Sequence, residues 1–405
     1  MRIAVFVVAI SLVCGLRVAT APPSAPGVAS MEHFVVYRDP QFYCAFPSVI
    51  RMPDGELICA FRRAPDRRAL WGAPGHTHTD PNSYLVLVRS KDGGHTWTSR
   101  PELIYAHPMG GSQDPCMVLL ADGAIVCSSY AWALIPPEGQ QKVGDALSHP
   151  PFAFLGGYLL RSADGGRSWE GPFEPPPVPG DVTKDALGRP CPAFNRGAIL
   201  QMPDGSLLWA VVRTDSLRPR RSSVHLLRSQ DRGETWSYVC PVAQDARVTF
   251  NETSLIRTRG GDIVAFMRTA DFDGKAAIAR SRDGGRSFEP WEDGDVFGHP
   301  FHAVTLPDGR VFVVYGYRRA PFGIRAKLLD PECTDFRQAP EIVIRDDGGN
   351  TDLGYPWAVL LPDGKVLVVY YFNIADGPRH IAGTILTFEK QAPQQEPCAS
   401  AKSFH

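Results

Sequence analysis

Apolar residues alternate with polar or small ones in six paired runs along the chain, and each pair is joined by a glycine-containing turn. The runs read PSVIRMPDGELICAF, PCMVLLADGAIVCSS, GAILQMPDGSLLWAV, TSLIRTRGGDIVAF, HAVTLPDGRVFVVY and WAVLLPDGKVLVVY. Their turn glycines are Gly55, Gly123, Gly205, Gly261, Gly309 and Gly364, at intervals of 48 to 82 residues. Asp-Gly or Gly-Gly between alternating apolar runs is a strong hairpin signal. Six such hairpins predict six antiparallel units.

A second repeat follows four of the hairpins. Ser90–Trp97, Ser162–Trp169, Ser229–Trp236 and Ser281–Phe288 share the pattern S-x-D-x-G-x-x-W/F, each preceded by an arginine (Arg89, Arg161, Arg228, Arg280). The pattern suits a tight turn between strands: Asp accepts local backbone N–H groups, Gly takes the positive-φ position and the aromatic packs beneath. A third strand ending at this turn and a fourth beyond it make each unit a four-stranded antiparallel blade. The fifth unit carries a decayed copy from Leu329 to Phe336, and the sixth carries none. The prediction is an all-β, six-bladed β-propeller over residues 33–390. In it, His33–Arg38 pairs beside Ile381–Phe388 and closes the ring. The turns resemble the Asp boxes of the sialidase (neuraminidase) superfamily and related propellers. That resemblance implies a fold and places the boxes on the outer rim, away from the chemistry.

Composition adds little to this architecture but narrows the partners. The chain has 405 residues, 44% hydrophobic and 21% charged, with 38 Gly and 37 Pro, which suits many turns around a sizeable core. A formal net charge of −1 gives no support for nucleic-acid binding. Arg2, the apolar run Ile3–Val13 and Ala19-Thr-Ala21 predict a signal peptide over residues 1–21, with a later cleavage near Ala29 as the alternative because Pro22 follows directly. Residues 22–32 then read as a linker and 391–405 as a flexible tail. The expected product is a secreted or periplasmic monomer with no membrane association after cleavage. The eight cysteines outside the signal lack metal-site spacing; those at Cys59 and Cys127 repeat within the hairpins and read as buried apolar residues. No metal or other cofactor is expected.

Propellers bind ligands at one end of their axis, where the inner strands begin and where the second strands end. The first set of positions supplies Ala45-Phe46, Asp114, Arg196, Glu252, His299, His302, Asp352 and Tyr355. The second supplies Arg62-Arg63, Tyr130, Arg213, Arg268, Tyr317-Arg318-Arg319 and Tyr371. Arginine follows four of the six second strands, and clustered guanidinium groups suit an anionic ligand because each can clamp a carboxylate through two parallel bonds.

At this point the likeness to sialidases reaches individual residues, over Glu32–Lys390. In that superfamily a tyrosine attacks the anomeric carbon, a glutamate takes its proton, an aspartate acts as acid and base, and three arginines hold the substrate carboxylate. The resemblance implies Tyr355 as nucleophile, Glu252 as its base and Asp80 as acid/base, with Asp66 as the fallback. It implies Arg268 and Arg325 as carboxylate ligands, with Arg318 competing for the second place. Arg196, Arg62, Asp114 and His302 complete the expected substrate-binding set. A neutral nucleophile has a physical rationale, since a carboxylate on the anomeric carbon repels an anionic one. A tyrosine with a pKa of about 10 then needs a nearby base. Structural readings stay open beside these: Tyr355 packing at a Gly-Tyr-Pro bend, Glu252 accepting loop N–H groups, Arg268 simply pairing with Glu252, and Asp80 turning the chain before Pro81.

One departure stands out. Sialidases carry Arg-Ile-Pro at the start of blade one, whereas this chain has Ala45-Phe46-Pro47. Either a neighbouring arginine substitutes or the sugar is not a standard sialic acid. The expected function is a sialidase-like exo-glycosidase that releases a terminal acidic sugar from a glycan with retention through a tyrosyl intermediate. The alternatives are another polysaccharide-active hydrolase or lyase using His302, His76 or His78 with a tyrosine, and a non-catalytic glycan-binding propeller.

Overall fold

The computed structural model describes residues 27–73, 78–143, 151–185 and 187–389; the expected signal peptide, residues 22–26 of the expected linker, His76 and the C-terminal tail lie outside them. Six antiparallel sheets follow one another along the chain. Blade one comprises Phe42–Arg51, Leu57–Pro65, Tyr84–Ser90 and Glu102–Tyr105. Blade two begins with an interrupted strand, Gly111–Ser112 and Cys116–Leu119, and continues through Ile125–Leu134, Phe152–Ser162 and Glu170–Phe173. Blade three contains Leu200–Gln201, Leu207–Leu217, Arg220–Ser229 and Ser237–Ala243. Blade four contains Phe250–Arg257, Ile263–Thr269, Lys275–Ser281 and Glu292–Phe297, and blade five Phe301–Thr305, Val311–Tyr317, Gly323–Leu329 and Glu341–Arg345. Each predicted hairpin forms the two inner strands of its blade.

Blade six is built from both ends of the described chain. Gly354–Leu360, Val366–Phe372 and His380–Phe388 take Val28–Tyr37 as their outermost strand, paired antiparallel along His380–Phe388. This joint closes the ring and leaves blade six with no unpaired terminal strand. The strand begins at Val28, inside the segment expected to be linker, because Val28 is 1% exposed and packs with Leu386 and Leu306. Two short helices, Arg67–Trp71 and Pro137–Val143, occupy the connections in blades one and two. Neither shows an apolar period, and neither buries a residue, so the alternation carried no sign of them.

The Asp boxes form the turns expected of them. In the first, Asp92 accepts from the Thr96 N–H at 2.9 Å and its hydroxyl at 2.6 Å, while the Trp97 indole donates to the Gly94 carbonyl at 2.9 Å. The repeated arginines stitch blades together. Arg89 donates to the Gly165 carbonyl in the second box, Arg161 to Arg232 in the third, Arg228 to Gly284 in the fourth and Arg280 to Glu332 in the fifth unit. The decayed fifth box keeps the central contact, with Asp330 accepting from Thr334. All seven cysteines among the described residues are buried free thiols.

Candidate active site

Three backbone bulges lie at one level of the inner strands. Strand register slips between Ala45 and Ser48 in blade one, between Phe250 and Thr253 in blade four and between Gly354 and Trp357 in blade six. A bulge leaves residues outside the ladder and re-aims their side chains. The residues released in this way include Phe46, Glu252 and Tyr355. Phe46 and Tyr355 also take positive φ values, 58° and 51°, which bulky side chains seldom adopt. Their rings meet edge to face at 4.8 Å.

Tyr355 and Glu252, 103 positions apart, are joined by a short hydrogen bond from the phenol to the Glu252 Oε1 atom. Arg268, at the end of the second strand of blade four, ties the pair together. Its Nη1 donates to Glu252 Oε2 at 2.7 Å and to the Tyr355 hydroxyl at 3.2 Å. Burial pushes the Glu252 carboxyl up, but the Arg268 charge and the phenol hydrogen bond outweigh it and hold the group below the ordinary carboxylate value. Burial and the Glu252 charge raise the Tyr355 phenol well above its ordinary value, with Arg268 opposing. The resting pair is therefore a neutral phenol against an ionised carboxylate.

Arg318 completes the group. Its Cζ lies 5.3 Å from the Tyr355 ring centre, and its Nε and Nη2 donate to the Leu353 carbonyl at 2.9 Å and the Tyr371 hydroxyl at 2.8 Å. Tyr371 in turn donates to Asp352 at 3.1 Å, which also accepts from Tyr43 at 2.7 Å and from Arg379 at 2.8 Å. Arg379 was absent from the sequence-based set. It follows no hairpin strand end, and only the return of the last strand beside blade one brings it to Asp352.

The other expected residues are placed differently. Arg325 is turned away from Tyr355. Its guanidinium donates to the carbonyls of Ile324, Pro321 and Arg345 and lies 3.4 Å from Glu341, since it sits on the third strand of blade five, farther from the axis. Arg196 runs beneath the tyrosine. It donates to the Pro47 carbonyl at 2.9 Å and the Tyr355 carbonyl at 3.2 Å, linking three blades. His302 stacks on Trp357 at 4.1 Å and accepts from the Ala358 N–H, and burial followed by the Arg196 charge lowers its pKa to about 3. It is a neutral packing imidazole in this setting. His78 is half-exposed and lies 3.4 Å from Asp352.

Asp80 is fully buried, and both its oxygens are engaged by Arg67, at 2.6 and 3.0 Å, with the Asn82 N–H at 2.8 Å. Asp66 caps the helix Arg67–Trp71 through the Arg68 N–H. Asp114 is also buried but, among the described residues, has no guanidinium within bonding distance; Tyr130 donates to it at 3.1 Å. Burial raises its pKa to about 6, Arg196 opposing and the Glu252 charge adding. Beside Glu252 a cleft of about 430 Å³ opens between blades two, three and four. Tyr130, Trp132 and Phe194 line one part of it, and Arg221 and Asn251 another. Trp132 and Phe194 were not singled out from sequence, although the alternation Tyr130-Ala-Trp132 at a second-strand end was a usable signal.

The profile of the BNR repeat-like domain matches residues 152–368. The chain belongs to this family. This structure is a six-bladed propeller, and its structural neighbours include sialidases. Among solved structures, a protein of unknown function from Dyadobacter fermentans is 54% identical, with a TM-score of 0.87 over 90% of this chain and 100% of that one. The Hadza microbial sialidase Hz136 is 18% identical, with a TM-score of 0.61 over 87% of this chain and 68% of that one. A Trypanosoma rangeli sialidase solved with the inhibitor DANA is 12% identical, with a TM-score of 0.60 over 88% and 59%. No curated protein matches the sequence. At such low identities the sialidases speak for the fold of this BNR propeller alone.

Proposed function

We propose that this BNR propeller is a sialidase-like retaining exo-glycosidase acting on a terminal acidic sugar. The observation that carries the reading is the Tyr355–Glu252–Arg268 contact. A phenol hydrogen-bonded to an ionised, buried carboxylate is an activated nucleophile in waiting. As the phenol oxygen bonds to the anomeric carbon, its proton passes to Glu252 and the glycosidic bond breaks. The tyrosyl glycoside is then hydrolysed with overall retention. Arg268 and Arg318 flank the tyrosine and are suited to hold the sugar carboxylate, while the cleft beside Glu252 has room for the ring and its substituents.

The leaving oxygen needs an acid that keeps its proton near neutrality. Asp114, titrating at about 6, meets that need better than Asp80, whose two oxygens are both taken up by the Arg67 guanidinium. With Asp114 as acid, turnover falls as pH rises through about 6. Export to the periplasm or medium, expected from the N-terminal sequence, would bring the enzyme to glycans.

The test is release of sugar from a fluorogenic sialoside by wild type and Tyr355→Phe. Undiminished release by the variant refutes the tyrosine mechanism. Binding of glycans by wild type without any turnover points instead to a lectin-like propeller.

A further inference from the structure

The hairpin between the second and third strands of blade three is longer than that of blade four. Its strands, Leu207–Leu217 and Arg220–Ser229, have 11 and 10 residues, against 7 and 7 for Ile263–Thr269 and Lys275–Ser281. The excess rises at the axial end, beside the cleft that begins at Glu252. Val212, bridged to Phe194, lies low in that cleft, and Leu217 is five residues farther along the strand. At about 3.3 Å per residue, Leu217 and the Arg220 opposite it stand about 15 Å beyond Val212. A bulge between Thr214 and Ser216 re-aims the side chains that follow. Beyond it Arg221 reaches across to blade four and pairs with Asp271 at 2.7 Å, whereas Arg220 lies with Trp132, Phe154 and Phe194 on the opposite side. Arg220 is exposed at the mouth of the cleft, and among the described residues no carboxylate pairs with it.

The facing wall is a fixed aromatic surface. Phe154, 3% exposed, meets Trp132 at 4.8 Å and Phe194 at 4.6 Å, and Phe194 meets Tyr130 at 5.3 Å. Trp132 and Phe194 remain partly exposed above that buried ring. A sugar ring has an apolar C–H face that packs on such a surface, while a few polar groups fix its orientation. Tyr130 also donates to Asp114, the acid proposed for the leaving oxygen, so the leaving sugar departs along this wall. We propose that the outer end of the cleft is a second glycan subsite, in which Trp132 and Phe194 carry the sugar next to the terminal one and Arg220 pairs with an anionic group on it. The inference rests on the glycosidase reading and narrows its substrates to glycans with two adjacent anionic sugars. The height of Arg220 on its hairpin places it beyond the ring seated against Tyr355, so its anion belongs to the neighbour. That anion is a carboxylate or a sulfate ester, since each presents oxygens side by side to the guanidinium fork.

The test compares kcat/KM for sugar release from 3'-sialyllactose, whose second sugar is neutral, with that from an α2,8-linked sialic acid dimer and from 3'-sialyllactose sulfated on the galactose. The dimer reads a carboxylate on the second sugar and the sulfated substrate a sulfate. Wild type should prefer one or both charged substrates about tenfold or more. Arg220→Met should lose most of that ratio, and Arg220→Lys should keep part of it, since the charge survives without the fork. Trp132→Ala should lower kcat/KM for all three substrates by more than for a methyl sialoside, which has no second ring. A wild-type ratio near one for both charged substrates, or a ratio that survives in Arg220→Met, overturns the subsite while leaving the glycosidase reading intact. If wild type cleaves no sialoside, that reading fails by itself, and calorimetry decides the subsite with glucuronosyl-N-acetylgalactosamine, with and without a sulfate on the second sugar. Tighter binding of the sulfated form that Arg220→Met loses supports it; equal binding, or binding of neither, overturns it.

Discussion

Replacing Asp114 by Asn separates the cost of a buried acid from its use. The carboxyl is 1% exposed and titrates at about 6 in the folded protein, against an ordinary value of 3.8. A folded pKa raised above the unfolded one means that the native state binds more protons across that window, so stability falls as pH rises through it. About two pKa units at 1.36 kcal/mol each amount to about 3 kcal/mol, fully present above pH 6. By pH 4 the same linkage leaves about half a kcal/mol. Asparagine does not titrate and retains an oxygen for the Tyr130 hydroxyl. Asp114→Asn should therefore be more stable than wild type at pH 7, by about 3 kcal/mol. For a domain of this size that is roughly 4 °C in melting temperature. The gain should shrink to about half a kcal/mol by pH 4, and sugar release at pH 6 should fall by about a hundredfold or more through loss of the proton donor. Calorimetry at several pH values with a sialoside assay checks both. A variant less stable than wild type at pH 7, or a difference that does not change with pH, refutes the argument.

Four further outcomes follow from the geometry. Tyr355→Phe should abolish sugar release yet melt close to wild type, because its ring contacts with Phe46 and Tyr371 persist; activity assays and thermal melts read the two effects. Glu252→Gln should lower kcat by about 10²–10⁴ and cost a few kcal/mol of stability, since Arg268 loses its buried charge partner. Arg318→Met should raise KM, whereas Arg325→Met should lower the melting temperature with KM unchanged, because Arg325 serves backbone carbonyls. Asp92→Ala, on the outer rim, should lower the melting temperature and leave kcat/KM as it was; a fall in kcat/KM would contradict the rim placement.

Local chemistry wrote the architecture into the chain. A period-two alternation with Asp-Gly turns can form little other than hairpins, and six of them, four followed by box turns, can bury their apolar faces only against one another. The resemblance of Gly354-Tyr355-Pro356 and Asn251-Glu252 to sialidase positions was legible for the same reason, since each sits at a fixed offset from its hairpin. What the sequence could not decide was which side chains point at the axis. Arg318 and Arg325 lie seven residues apart, and only their places, one just past the second strand of blade five and the other on the third, assign one to Tyr355 and the other to the backbone. Asp80 and Asp114 are both aspartates at loop-like positions; their difference arises from Arg67, which sits on an unforeseen helix and neutralises one of them. The burial of Arg62 without a hydrogen-bond partner among the described residues is likewise a property of register. It depends on Ala45 standing opposite and on Phe46 turning at a bulge, and long-range charge and burial of this kind exist only once the six blades have closed into a ring.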